Sequence, residues 1–232
     1  MKITVLHGQM HKGSTWNITQ LFLEKLSDKN TEINEFFMPK HTPSFCIGCF
    51  NCFTKGEDKC PHADIVQPVV NAIEEADLVI LESPCYVLGM SGQLKTFLDH
   101  MGYRWIPHRP HPKMFSKVGL VISTAAGAGA GKVTKALKDN LFYWGVGKVY
   151  RFGKNVGASS WETVKSEKKS HIENDVTQMA AKILNKIGNV KPGIKTKAMF
   201  KLMQMSQKSN NWNPTDKEHW VRNGWLNRNK PW

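Results

Sequence analysis

No stretch of the 232-residue chain strings together the roughly 20 apolar positions that a membrane-crossing helix needs. The opening residues, MKITVLHGQ, lack the basic, apolar and small-residue order of a secretory signal. Acidic residues are scarce: 19 Asp and Glu stand against 32 Lys and Arg, a net charge of +13. Zinc-finger, helix-turn-helix and RNA-binding signatures are missing, and so are internal repeats and low-complexity segments. These absences predict a cytoplasmic protein whose basic surface is a solvated face, with no nucleic-acid partner and no membrane attachment. In that compartment the five cysteines stay reduced, so their clustering suggests metal or redox chemistry before disulfides.

What is present reads as alternating strands and helices. Apolar runs at 2–7, 31–38, 78–84, 117–124 and 148–152 predict five strands. Between and after them, helical spacing recurs: Ile18, Leu21, Phe22 and Leu26 in one segment, Ile65, Val69, Ala72 and Ile73 in another. Further helices are predicted over 92–101, 132–144 and 167–187. Strands that are continuously apolar, not alternating, must be covered on both faces, which predicts a parallel sheet between helical layers. Five strands in this alternation fit a doubly wound α/β sheet of flavodoxin-like order 2-1-3-4-5. Residues 1–190 form that domain, and residues 191–232 a basic, tryptophan-rich C-terminal arm with an amphipathic helix at 195–208 and an irregular remainder.

Ligands of such sheets sit beyond the carboxyl ends of the strands. The loop after the first strand, HGQMHKGST, nearly matches a P-loop, since Gly8 and Gly13 are correctly spaced, but Ser14 replaces the essential lysine. Triphosphate hydrolysis is thereby excluded, while a phosphate monoester remains suited to a helix N-terminus. Gln9, His11, Ser14 and Thr15 offer hydrogen bonds and Lys12 a charge; Ser14 or Thr15 alternatively serves as a helix cap. The loop after strand three, ESPCYVLGMSGQLK, combines Pro84, Cys85, Tyr86, Val87, Leu88, Gly89 and Met90 ahead of Ser91, the expected N-cap. A flat ring can lie against such a loop. After strand four, Thr124, Ala125, Gly127, Ala128 and Gly129 let a ligand approach the backbone closely.

The first loop resembles the G-S-P-R-x-x-G-N-[ST] phosphate pattern of NADPH-dependent FMN reductases, read here as Gly8-Gln9-Met10-His11-Lys12-Gly13-Ser14-Thr15. The second resembles that family's S-P-x-Y-x-x-x-x-S-G-x-L-K-x-F-x-D-R stretch, with His100 in place of the arginine. The resemblance implies FMN held by its phosphate at the first loop and by its ring at the second and third. It further implies hydride transfer from NAD(P)H to a quinone, free flavin or other small acceptor, in a homodimer. Such transfer needs no dedicated acid or base, so no catalytic side chain is assigned beyond Tyr86 as a pocket-shaping candidate. Tyr103 and Arg104 are expected to contribute to substrate or NADPH binding.

Cys46, Cys49, Cys52 and Cys60 follow the spacing C-x₂-C-x₂-C-x₇-C, with Pro61 after the last. The run resembles the ligands of a [4Fe–4S] cluster and the loop of iron–sulfur flavoproteins. Its final gap is longer than the ferredoxin one, so reduced packing thiols are ranked ahead of the cluster. Two rival readings stand beside the reductase: an electron-transfer relay with flavin and cluster, and a non-enzymatic basic binding protein on the same scaffold.

Overall fold

The computed structural model describes residues 1–232. Five parallel strands form one sheet: β1 (Lys2–His7), β2 (Glu32–Phe37), β3 (Leu78–Glu82), β4 (Val118–Ala125) and β5 (Lys148–Asn155). Their order, β2-β1-β3-β4-β5, is the flavodoxin-like one. The helices are α1 (Ser14–Leu26), α2 (Asn51–Thr54), α3 (Ala63–Glu75), α4 (Gly92–Asp99), α5 (Ala130–Tyr143), α6 (Ser166–Leu184), α7 (Ile194–Lys208) and α8 (Pro214–Arg222).

Two cores follow from the alternation of side chains along each strand. Leu6, Val79, Leu81 and Val121 pack against α3, α4 and α5, whereas Ile3, Val5, Ile80 and Leu120 pack against α1 and α6. Continuous burial holds for β3 and β4, every residue of which is buried. It fails for β2 and β5, which have a neighbour on one side only and expose much of their length. On α3 the buried face runs through Val66, Val69, Val70 and Ile73, and Ile65, expected inside, points to solvent.

The arm is more ordered than its composition suggests. Residues 214–222, expected to be irregular, form α8: Asn213 Oδ1 accepts from Asp216 N at 3.2 Å and Pro214 fills the first turn, where its missing N–H costs nothing. Phe200, Trp220 and Trp225 of the arm pack with Ile106 and Phe115 into a third, smaller apolar cluster.

Candidate functional site

The strand order reverses beside β1, so a crevice opens where the loops leaving β1 and β3 diverge. Gly8 N donates to Glu82 O at 2.8 Å, and Ser91 Oγ donates to Gly8 O at 2.5 Å. A Cβ on Gly8 would stand 2.7 Å from Glu82 O and 2.9 Å from Ser91 Oγ, so only glycine lets the two loops meet. Beyond it, Gly13 precedes α1 without a side-chain cap, and no acidic residue lies in the first turn. The first N–H groups of α1 are therefore unclaimed and its positive dipole end is uncompensated, which suits an anion. Neither Ser14 nor Thr15 caps the helix; Thr15 Oγ1 is tied instead to Thr124 Oγ1 at 2.7 Å across to β4. Ser91, by contrast, is the N-cap of α4, accepting from Leu94 N at 3.4 Å.

Loop 83–91 turns tightly. Tyr86 and Gly89 exchange two backbone hydrogen bonds of 2.9 Å around Val87 and Leu88, whose φ values of 49° and 60° lie in the left-handed region. A β-branched residue is strained there, and Val87 is wholly exposed at the tip. Tyr86 donates its hydroxyl proton to Gln9 Oε1, joining this loop to the first. Partial burial, reinforced by the Glu82 carboxylate, raises the Tyr86 phenol above its ordinary value. At the third loop a Cβ on Gly129 would lie 2.5 Å from Cys85 Sγ, so loops two and three also touch through a bare backbone.

The three loops enclose a cleft of about 220 Å³. Of the residues singled out from sequence, Gln9, His11, Gly13, Ser14, Thr15, Pro84, Cys85, Tyr86, Thr124 and Ala125 line it. Lys12, Val87, Leu88, Gly89, Met90, Gly127, Ala128 and Gly129 do not; Lys12 lies 4.9 Å over the Trp16 ring. Ala126, Val156, Ala158 and Ser159 also line the cleft. The last three follow β5, a strand end the sequence reading passed over, although its place beside β4 and its Gly-Ala-Ser-Ser composition pointed there. A larger hollow of about 580 Å³ lies between segment 39–45 and the start of α4. It has no charged side chain and no free helix N-terminus, so the smaller cleft is the better ligand site.

Tyr103 and Arg104, expected to contribute to substrate or NADPH binding, do not line the cleft. Tyr103 is 1% exposed and its hydroxyl accepts from Gln67 Nε2 at 3.0 Å. Arg104 is paired with Glu57 at 3.1 Å and with Glu74 at 2.7 Å.

Cys46, Cys49, Cys52 and Cys60 all line a second cleft of about 80 Å³, closed by His62 and His100 among others. All four are free thiols, Cys46 and Cys49 exposed and the other two half-buried. Gly48 and Phe50 take left-handed φ values of 66° and 59°, which curl the run back on itself. His100 Nδ1 lies 3.7 Å from Cys60 Sγ while Nε2 lies 2.9 Å from Ser44 O. Burial, then the neighbouring Cys60, Cys46 and Cys49, push the Cys52 thiol up to about 11, with Arg109 opposing. No three side chains gather closely enough to hold a single ion. Four thiols around one hollow match in number and kind the ligands of a [4Fe–4S] cluster.

A family model described as NADPH-dependent FMN reductase matches residues 1–157. An iron-sulfur flavoprotein of Archaeoglobus fulgidus is 31% identical over 152 residues, 63% of this chain and 64% of that protein, just under two thirds of its length. One of Methanocaldococcus jannaschii is 26% identical over 195 residues, 82% of this chain and 96% of the relative. Among solved structures, an FMN-dependent NADH-azoreductase from Bacillus anthracis in complex with FMN superposes with a TM-score of 0.59 at 14% identity, covering 80% of this chain and 100% of the other. The flavoenzyme NAD(P)H:(acceptor) oxidoreductase of Paracoccus denitrificans gives 0.56 at 18% identity, covering 82% and 98%. These two show the shared fold.

Proposed function

The chain belongs to the NADPH-dependent FMN reductase family, and from that premise we propose that it is an FMN-dependent oxidoreductase passing hydride from NAD(P)H to a small acceptor such as a quinone or flavin. The observation that carries this is the uncapped N-terminus of α1 at the floor of a cleft where three strand-end loops meet. Its free N–H groups, with Ser14, His11 and Gln9 beside them, would hold the FMN phosphate. Pro84, Cys85 and Tyr86 would form one wall for the ring, and Thr124 and Ala125 the other. FMN, when bound, supplies the two-electron acceptor for the hydride. The protein's residues orient the ring, keep one face open to the nicotinamide and offer backbone N–H groups to the ring heteroatoms. The reading extends to a cytoplasmic homodimer, with exposed Val87, Leu88, Phe45 and Ile47 as apolar surface for the second copy; no helix is long and apolar enough to cross a membrane.

An absorption spectrum of the purified chain tests it. A flavin double band that bleaches on adding NADPH or NADH and recovers with a quinone is the expected result. A colourless protein that takes up no FMN would sink the reading.

A second reading is favoured by one observation, the convergence of all four run cysteines on a single cleft. It is that the chain carries an iron–sulfur cluster there, as relatives named iron-sulfur flavoproteins suggest, and relays single electrons out of the flavin site. Anaerobic purification should then yield close to four irons and four sulfides per chain, on the stoichiometry of a [4Fe–4S] group. Metal-free protein after anaerobic reconstitution would reject it.

A further inference from the structure

Helix α2 carries Cys52 and is only four residues long, so its last carbonyls find no partner within the helix. Three of them are taken by side chains from distant segments. Arg109 donates through Nη2 to Cys52 O and through Nη1 to Phe53 O at 3.1 Å, and Thr215 Oγ1 donates to Thr54 O at 2.8 Å. Arg109 is in turn held by Asp216 Oδ1 at 2.5 Å and by Glu57 Oε2 at 3.2 Å. Asp216 is fully buried, and its other oxygen is satisfied by His108 Nδ1 at 2.7 Å and Asn213 Nδ2 at 2.9 Å. Phe53 completes the contact, its ring edge-on to His108 with centroids 4.7 Å apart.

Two adjacent residues at the start of α8 thus reach a loop at the far side of the chain, one directly and one through a buried guanidinium. Both Arg109 Nη atoms and both Asp216 carboxylate oxygens are hydrogen-bonded, and only Arg109 Nε lacks a partner; such a buried pair is costly to break, because either partner alone would be stranded without water. The contact is directed at backbone carbonyls, so it specifies the path of α2 and not merely its burial. It also sets a guanidinium on the backbone of Cys52 at the edge of the cysteine cleft. Both α8 residues lie outside the part of the chain that the family model covers.

We propose that the C-terminal arm is a working part of the cysteine cleft, with Asp216 and Arg109 as positioning residues that hold Cys52 in its wall. The clamp does not depend on the cluster reading; only its consequence for iron does.

The test uses the full-length chain without metal, as wild type, Asp216→Asn and Thr215→Val, under reducing conditions at fixed pH. Iodoacetamide labelling is followed peptide by peptide, and backbone hydrogen exchange is measured on the same samples. In Asp216→Asn, Cys52 should be alkylated about tenfold faster, and the amides of Phe53, Thr54 and Lys55 should lose protection, because a local opening is made easier. Cys85 and the amides of β3 and β4 should not change. Thr215→Val should move the same signals less. Cys52 reacting at the wild-type rate in both variants, or Cys85 rising in step with it, would overturn the proposal. If Asp216→Asn loses protection in the sheet itself, Thr215→Val decides. After anaerobic incubation with ferrous iron and sulfide, Asp216→Asn should bind less iron than wild type at equal flavin content. Wild type taking up no iron would defeat the cluster reading and leave the clamp to stand on the alkylation result.

Discussion

His7 Nδ1 lies 3.0 Å from Glu82 Oε1, both side chains shut off from solvent at the carboxyl ends of β1 and β3. The other ring nitrogen lies 2.9 Å from Glu35 Oε1 on β2, and the imidazole stacks on Phe37 at 4.2 Å. Each contact needs a proton, so the three groups share two, whichever of them carries the charge. Burial raises the Glu82 carboxyl above its ordinary value, and the His7 hydrogen bond works against that rise. His7 therefore straps three strands together directly beneath the candidate FMN loops.

Replacing His7 by Leu would leave a buried carboxyl group facing hydrocarbon. Loss of one partner from a buried pair costs about 3–5 kcal/mol, so His7→Leu should lower the urea midpoint steeply. His7→Gln keeps one donor and should lose less. Equal midpoints for wild type and His7→Leu would show that the strap adds nothing to stability.

Gly8→Ala addresses the junction of loops one and two. The added methyl would meet Glu82 O at 2.7 Å, a backbone atom in a central strand that cannot swing away. Overpacking of this kind costs about 1–3 kcal/mol. Because the strain falls between the loops proposed to hold FMN, flavin affinity should drop by about tenfold or more, measured by fluorescence quenching. Retention of FMN through dialysis at the wild-type level would place the ligand elsewhere.

The sheet, its order and most helices were legible because burial imposes a pattern on every strand and helix it covers. Leu78–Leu81 and Val118–Ile122 carry no polar side chain for that reason, and the strand-end loops follow from the order alone. Edge strands carry less of the pattern, since half of each faces water. α8 went unread although Asn213-Pro214 and Asp216 spell a helix start, because its apolar residues serve a five-residue satellite cluster and show no strong period. What no local pattern encodes is pairing at distance. Arg109 and Asp216 are 107 residues apart, and nothing near Arg104 in sequence announces that Glu57 and Glu74 will neutralise it. The four cysteines were visible as a run, but their convergence on one cleft depends on left-handed turns at Gly48 and Phe50.

Trp220→Ala should separate the arm from the body. Trp220 is fully buried, packs its ring tilted on Phe200 with centroids 4.8 Å apart and donates Nε1–H to His108 O at 2.7 Å. Large aromatic truncations cost about 3–5 kcal/mol. The satellite cluster has only five buried members, against 20 and 19 in the two main cores, so the loss should fall on the arm. Hydrogen exchange should show residues 194–222 opening while β1, β3 and β4 stay protected. Uniform loss across the sheet would mean that the arm and the body unfold as one unit.

Acid should weaken the same region through two histidines. Burial, then the Arg104 guanidinium, depress His111 to about 4. Burial also depresses His219 to about 4, against the hydrogen bond of Nε2 to Pro110 O at 3.0 Å and with Arg104 and Arg109 adding to the fall. Both lie below the ordinary histidine value of about 6.5, so the unfolded chain binds more protons than the folded one between those limits. Stability is then level with respect to these groups above about pH 6.5 and falls as pH drops from there to about 4. Each histidine contributes a slope of at most about 1.4 kcal/mol per pH unit. Glu74 and Glu82, whose carboxyls burial raises, oppose them, so the histidine share is read from the difference between wild type and the double variant. Urea titrations at several pH values should show the decline in wild type and a flatter curve in His111→Gln with His219→Gln. An unchanged slope in the double variant would assign the acid sensitivity to carboxylates alone.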